Sequence, residues 1–254
     1  MRSTPVAERI QKVLANAGVA SRRQVERWIR QGRLVVGDTP ARLGDQLAGN
    51  ERVYLDGRLL HLPVTTGPAQ CVVYYKRVGE VTTRRDPDGR PTVFQQVRPP
   101  RRGRWIAVGR LDINTAGLLL LTTDGLLAHR LMHPSYEIPR RYAVRILGRL
   151  STRQLKQLRE GIELEEGVAK FDSIALQGGS GANAWYRVSL HGGRNREIRR
   201  LFATLDIPVN RLLRTHYGPV ALGDMHRGMT RPLTAPELES LYGVVGLRSE
   251  SGSG

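Results

Sequence analysis

Gly109-Arg110-Leu111-Asp112-Ile113-Asn114-Thr115-Ala116-Gly117, then Leu118 to Leu121, then Thr122-Thr123-Asp124-Gly125, is a polar, glycine-bounded loop running straight into an apolar strand. A short leucine run between turn signals has the length of a buried strand. Glycines on either side let the backbone, or a ligand, come close to the loop. Asp112, beside Arg110 and Leu111, is thus an acid on a loop that a strand holds in place. Loop aspartates also serve turns and caps, and this stretch alone leaves both readings open.

Outward from this loop, the apolar run Cys71 to Tyr75 predicts a strand, as do Tyr142 to Ile146 and Trp185 to Leu190. Helices are expected at about 125–132, 152–160 and 196–205, the last placing Ile198, Leu201, Phe202 and Leu205 on one face. Strands and helices do not alternate regularly, which favours an α+β domain over a doubly wound sheet. The last helix opens from Gly192-Gly193-Arg194-Asn195-Arg196-Glu197-Ile198-Arg199-Arg200. Arg199 lies about 100° round the axis from Ile198, at the edge of the buried face, where it can approach a partly buried carboxylate. His129 and His133 have a zinc-compatible spacing, but no Glu follows the first and no third ligand is suggested, so no metal is expected.

Towards the N-terminus, Ile10, Val13, Leu14 and Ala17 form the stripe of one helix, stopped by Gly18. Ser21 with Gln24 begins a second, which buries Val25, Trp28 and Ile29 and stops at Gly32. Its other face carries Arg22, Arg23, Arg27 and Arg30 against the single acid Glu26. Ordinary helix faces mix signs to gain pairs four residues apart; this one barely does. Short β-rich pieces follow at 34–36, 52–55 and 58–60. The expected division is 1–62 as a small domain, 63–70 as a linker bearing Pro63, Gly67 and Pro68, 71–246 as the larger domain, and 247–254 as a disordered tail.

Composition limits the function. The chain has 254 residues, 40% apolar and 25% charged, which excludes collagen-like, coiled-coil and wholly disordered readings. Its formal charge is +17, and of its 40 Lys and Arg residues all but Lys12, Lys76, Lys156 and Lys170 are arginine. Genomic bias can supply the arginine preference but not the net charge, which points to a polyanionic partner. A single cysteine, Cys71, rules out an intrachain disulfide. No run spans a bilayer and no signal core follows Met1 to Pro5, so a cytoplasmic protein without membrane contact is expected.

Taken together, the N-terminal helices and strands resemble the S-four-type RNA-binding domain. Residues 8–246 resemble the bacterial ribosomal RNA pseudouridine synthases that carry such a domain at their N-terminus. The resemblance rests on Gly109-Arg110-Leu111-Asp112 with Asn114-Thr115-Ala116-Gly117, on Arg141-Tyr142-Ala143-Val144, and on the motif from Gly193 to Arg199. It implies a mixed, mainly antiparallel catalytic sheet behind the N-terminal module, with Asp112 as the catalytic acid, Tyr142 as the active-site tyrosine and Arg199 as the basic partner of Asp112. It implies RNA contacts from Arg110, Leu111, Lys76, Arg194, Arg196 and Arg200, together with Arg22, Arg23, Arg27 and Arg30. No cofactor is implied, and the implied substrate is ribosomal RNA or a precursor particle; the formal charge of +17 favours a monomer on that RNA. Tyr74-Tyr75-Lys76 and the stretch Arg84 to Phe94 resemble those members of the family that modify large-subunit RNA, although Arg77 stands where the family usually has proline. The competing readings are a non-catalytic RNA-binding or ribosome-assembly protein, and the same chemistry on small-subunit RNA.

Overall fold

The computed structural model describes residues 7–48, 51–62, 69–179 and 181–248. The chain divides into two compact units, 1–68 with 99–105, and 69–98 with 106–254. Most of the expected linker, at 63–68, lies outside the described residues, as do Met1 to Pro5 and the tail from 249 onward. No helix among the described residues is long and apolar enough to cross a membrane.

In the first unit, α1 (Ile10–Asn16) and α2 (Arg22–Arg30) pack through Ile10, Leu14, Val25 and Ile29 onto Leu34, Leu47 and Val53. Ser21 Oγ accepts from the Gln24 N–H at 3.2 Å and so starts α2. Strands β1 (Leu34–Val36), β2 (Thr39–Pro40), β3 (Val53–Leu55) and β4 (Arg58–Leu59) close the core as an antiparallel sheet ordered β2-β1-β3-β4. Arg22, Arg23, Arg27 and Arg30 are all exposed. The segment 99–105 groups with this unit, whereas the expected division puts it in the larger domain. Gly103 lies so near the end of α1 that a Cβ there would come within 2.8 Å of the Asn16 carbonyl oxygen. The segment is arginine-rich and aperiodic, so hydrophobic patterning carries no sign of that packing.

The second unit is built on a nine-stranded sheet. Its strands are β5 (Cys71–Lys76), β6 (Ile106–Val108), β7 (Ala116–Thr122), β8 (Arg140–Leu147), β11 (Ser173–Gly178), β12 (Asn183–Leu190), β13 (Val209–Tyr217), β14 (Val220–Ala221) and β15 (Thr230–Pro232). A separate hairpin joins β9 (Ile162–Leu164) to β10 (Gly167–Ala169). The main order is β11-β12-β8-β13-β7-β5-β15, with β6 on β7 and β14 on β13. Every pairing is antiparallel except β13 with β7. The domain is therefore α+β on a mixed, mainly antiparallel sheet. Beside the sheet run α3 (Val93–Gln96), α4 (Gly125–Met132), α5 (Thr152–Glu160), α6 (Glu197–Ala203) and α7 (Ala235–Gly243). From β7, Leu118 and Leu120 face a core made with Leu127 and Leu131 of α4 and Leu241 and Tyr242 of α7.

The single parallel pairing positions the loop that carries Asp112. Along one edge β7 pairs with β13 through Ala116 and Gly117, then with β6 through Leu120, Leu121 and Thr122. The loop 109–115 springs from this fork. Gly117 permits the close approach of β13: its φ is +106°, and a Cβ would lie 2.3 Å from the Arg214 carbonyl oxygen.

Candidate active site

Asp112 is positioned by its own backbone and its neighbours'. Five successive carbonyls of the loop are each held. That of Leu111 accepts from Thr82 Oγ1 at 3.0 Å, those of Asp112 and Thr115 from Lys76 Nζ at 3.0 and 2.8 Å, and that of Asn114 from Arg199 Nη2 at 2.8 Å. The Ile113 carbonyl takes the Gly79 N–H at 2.8 Å, and the Thr115 N–H turns back onto the Asp112 carbonyl at 2.9 Å. A loop pinned at five consecutive peptides has little freedom left, so the carboxylate is aimed without spending its own hydrogen bonds on structure.

Two expected roles change with this geometry. Lys76, anticipated as an RNA contact, is fully buried, with Nζ donating to the carbonyls of Arg77, Asp112 and Thr115. All three ammonium donors are used there and none reaches the surface. Burial pushes its pKa down to about 8, against the pull of Glu80 and Asp112, with Arg214 adding to the depression. Arg199, anticipated as the partner of Asp112, gives Nη1 to the Val209 carbonyl and Nη2 to that of Asn114, each at 2.8 Å. Within ion-pair distance of the carboxylate is Arg196, with Nη1 3.9 Å from Asp112 Oδ2, while Asp112 still attracts Arg199 from further away. Arg196 has left-handed backbone geometry at φ +49° just before α6, whereas Arg199 sits on the helix proper and reaches the back of the loop.

A cavity of about 750 Å³ opens in front of Asp112, within the range of ligand sites. Gly109 to Asp112 line one side, and Tyr142, Leu190, Leu212 and Arg214 project into it from successive strands. The glycine turn and the start of α6, His191 to Ile198, line another side. Tyr142 is 8% exposed, and the register sets it between Val188 of β12 and Arg214 of β13. Arg140 Nη1 spans the carbonyls of His191 and Gly192 at 2.7 and 2.5 Å, fixing the glycine turn.

Of the expected RNA cations here, Arg110 and Arg196 are exposed at the cavity. Arg194 is turned inward, with Nη1 2.6 Å from the Gly167 carbonyl. Arg200 lies outside the cavity and pairs at 2.6 Å with Glu166. Leu111 is a buried wall residue.

Among the cavity residues, Arg214 and Glu197 carry charges for which the sequence suggests no role. Arg214 is only 2% exposed; its Nε donates to the Leu118 carbonyl at 2.7 Å, and its Nη2 has no partner among the described residues. Glu197 is buried and accepts from the Arg194 N–H at 3.1 Å; burial pushes its carboxyl up, while Arg194, Arg140 and Arg200 pull it down. The period-two position of Arg214 beside Leu212 was the available sign, but arginine on a strand reads as surface. The Arg77 departure also has a local cause. Its N–H, which a proline would lack, donates to Glu80 Oε2 at 3.1 Å.

RNA binding alone needs no acid clamped this tightly inside a cavity; the arrangement is that of an RNA-directed enzyme. Residues 70–204 match the RNA pseudouridylate synthase family, and residues 8–53 match the S4 domain. The Yersinia pestis protein named ribosomal large subunit pseudouridine synthase B is 49% identical over 220 residues, 85% of this chain and 69% of that protein. Its namesakes from Pseudomonas aeruginosa and Escherichia coli K12 are 47% and 45% identical, covering 96% and 98% of this chain and 64% and 87% of theirs. A crystal structure described as a pseudouridylate synthase superposes with a TM-score of 0.63 at 28% identity, over 92% of this chain and 99% of that one. The chain belongs to the RNA pseudouridylate synthase family.

Proposed function

We propose that this chain converts a uridine of large-subunit ribosomal RNA to pseudouridine, with Asp112 and Tyr142 at the reacting nucleotide. In that isomerisation the bond from ribose C1′ to uracil N1 breaks, the base turns, and C1′ joins C5. The C5 proton leaves to solvent as N1 gains one, so atoms balance without an oxidant or reductant. The observation that carries the reading is the clamped loop, which presents Asp112 to the cavity that also holds Tyr142.

Each residue has work suited to its chemistry. Asp112 supplies the carboxylate at the sugar, with Arg196 Nη1 3.9 Å from it. Tyr142 offers a ring face for the uracil. Arg214 brings an unspent donor to the same cavity. A uridine in a stacked helix cannot reach these groups, so it enters flipped out, with Arg110 and Arg196 meeting neighbouring phosphates. The choice of large-subunit RNA is supported by the names of the relatives and by the stretches around Lys76 and Arg84 to Phe94. A protein acting on bacterial ribosomal RNA works in the cytoplasm, and a formal charge of +17 favours a monomer on its RNA.

The test is Asp112→Asn. Turnover should vanish while affinity for large-subunit RNA stays within a few-fold, since one side chain among many at the interface is changed. Wild-type turnover in the variant would overturn the role of Asp112. Turnover by the wild type on small-subunit RNA alone would overturn the substrate.

A further inference from the structure

The cavity uses one face of the sheet; the opposite face of β11, β12, β8 and β13 is a distinct surface. The buried positions Tyr142, Val144 and Ile146 of β8 and Tyr186, Val188 and Leu190 of β12 point to the cavity side and its core. The alternate positions therefore point the other way. They bring together Arg141 and Arg145 of β8, Trp185 and Arg187 of β12, and Arg211 and His216 of β13. Arg141, Arg187 and Arg211 are exposed. The four strands contain no Asp or Glu.

The arrangement is costly for a face that only meets water. Arg145 stands directly opposite Arg211 across the β8–β13 ladder, and like charges so placed are destabilising. Arg145 also lies over the Trp185 ring at 5.9 Å, with its Nε buried and unpartnered among the described residues. His216 sits among like charges, for burial, then Arg141 and Arg187, all disfavour its protonation. None of these four arginines takes part in an ion pair among the described residues.

We propose that this open face is a second RNA-binding surface, gripping phosphates through Arg141, Arg187 and Arg211 and stacking a base on Trp185. Arginine clusters interleaved with an aromatic on an open sheet suit an RNA strand. A second copy would bring the same positive face and be repelled. Arg141, Ser189 and His216 lie at the strand ends next to Tyr142 and Leu190. RNA leaving the cavity at that end can continue over the sheet end and along the reverse face, about 13 Å per four residues of strand. The proposal rests on RNA being the substrate, and extends the interface beyond the target nucleotide.

The test is the double variant Arg187→Gln/Arg211→Gln, with binding to a large-subunit transcript and to a short oligouridylate measured across a salt series, and tritium release followed separately. Expected are weaker transcript binding by about tenfold, a log–log salt slope lower by about 0.7–0.9 per phosphate no longer gripped, and an unchanged kcat. Trp185→Phe should reduce the RNA-induced quenching of tryptophan fluorescence, a readout that does not depend on the arginine variants. Transcript affinity, salt slope and quenching all equal to wild type would overturn the proposal. Absence of tritium release from the wild type would overturn the proposed activity, while the binding series would still decide this surface.

Discussion

At the residue scale, Lys76 is the most informative side chain. Its ammonium donates to two carbonyls of the Asp112 loop and to that of Arg77, so Lys76→Met should leave the fold intact while lowering kcat on the order of 10²-fold through a misplaced Asp112. Tritium release with circular dichroism as the control separates the two effects. Its pKa of about 8 lies below the ordinary lysine value of 10.5, so the unfolded chain binds that proton more tightly. The sign follows: the cost of the buried charge is complete below about 8, and wild-type stability should rise relative to Lys76→Met as pH climbs from there towards 10.5. Denaturant melts of both proteins across that range measure it, and a difference independent of pH would place the charge elsewhere. The motifs brought Asp112 and Tyr142 to notice, but not which cation meets the carboxylate. Arg196 and Arg199 are three residues apart in one basic run, and only the left-handed backbone at Arg196 separates their roles. Nothing in sequence marks that conformation on an arginine.

At the scale of elements, the fork in β7 decides where the loop stands. Gly117→Ala would drive a Cβ into the Arg214 backbone at a positive φ, and should cost about 2–4 kcal/mol of stability by combined overpacking and backbone strain. A melting temperature within a degree of wild type would show that β13 can retreat freely. Most elements were readable because their apolar residues keep period: α2, β5, β7, β8 and β12 fall where patterning puts them. The central strand β13 escaped because Arg211, Arg214 and His216 break its alternation, and one of those charges is buried. Helix α7 was missed although Thr234, Pro236 and Glu237 spell its start, with the reciprocal Thr234–Glu237 cap formed.

At the scale of the whole molecule, one exposed cluster of charge stands on the unit that lacks the cavity. The α2 arginines are exposed and lie on the unit without the cavity. Replacing Arg22, Arg23, Arg27 and Arg30 together by Gln should therefore reduce the salt dependence of RNA binding by about 0.7–0.9 for each phosphate they grip, and leave kcat at saturating RNA unchanged. An unchanged slope would show that this helix does not touch phosphate. The grouping of 99–105 with the first unit was not legible, since the segment is short, arginine-rich and without a repeating apolar pattern. The most direct measurement is tritium release from C5-labelled uridine in large- and small-subunit transcripts, with wild type and Asp112→Asn side by side. Release by the wild type only, and from large-subunit RNA only, is the expected result; equal release by the variant, or none from any RNA despite tight binding, would contradict it.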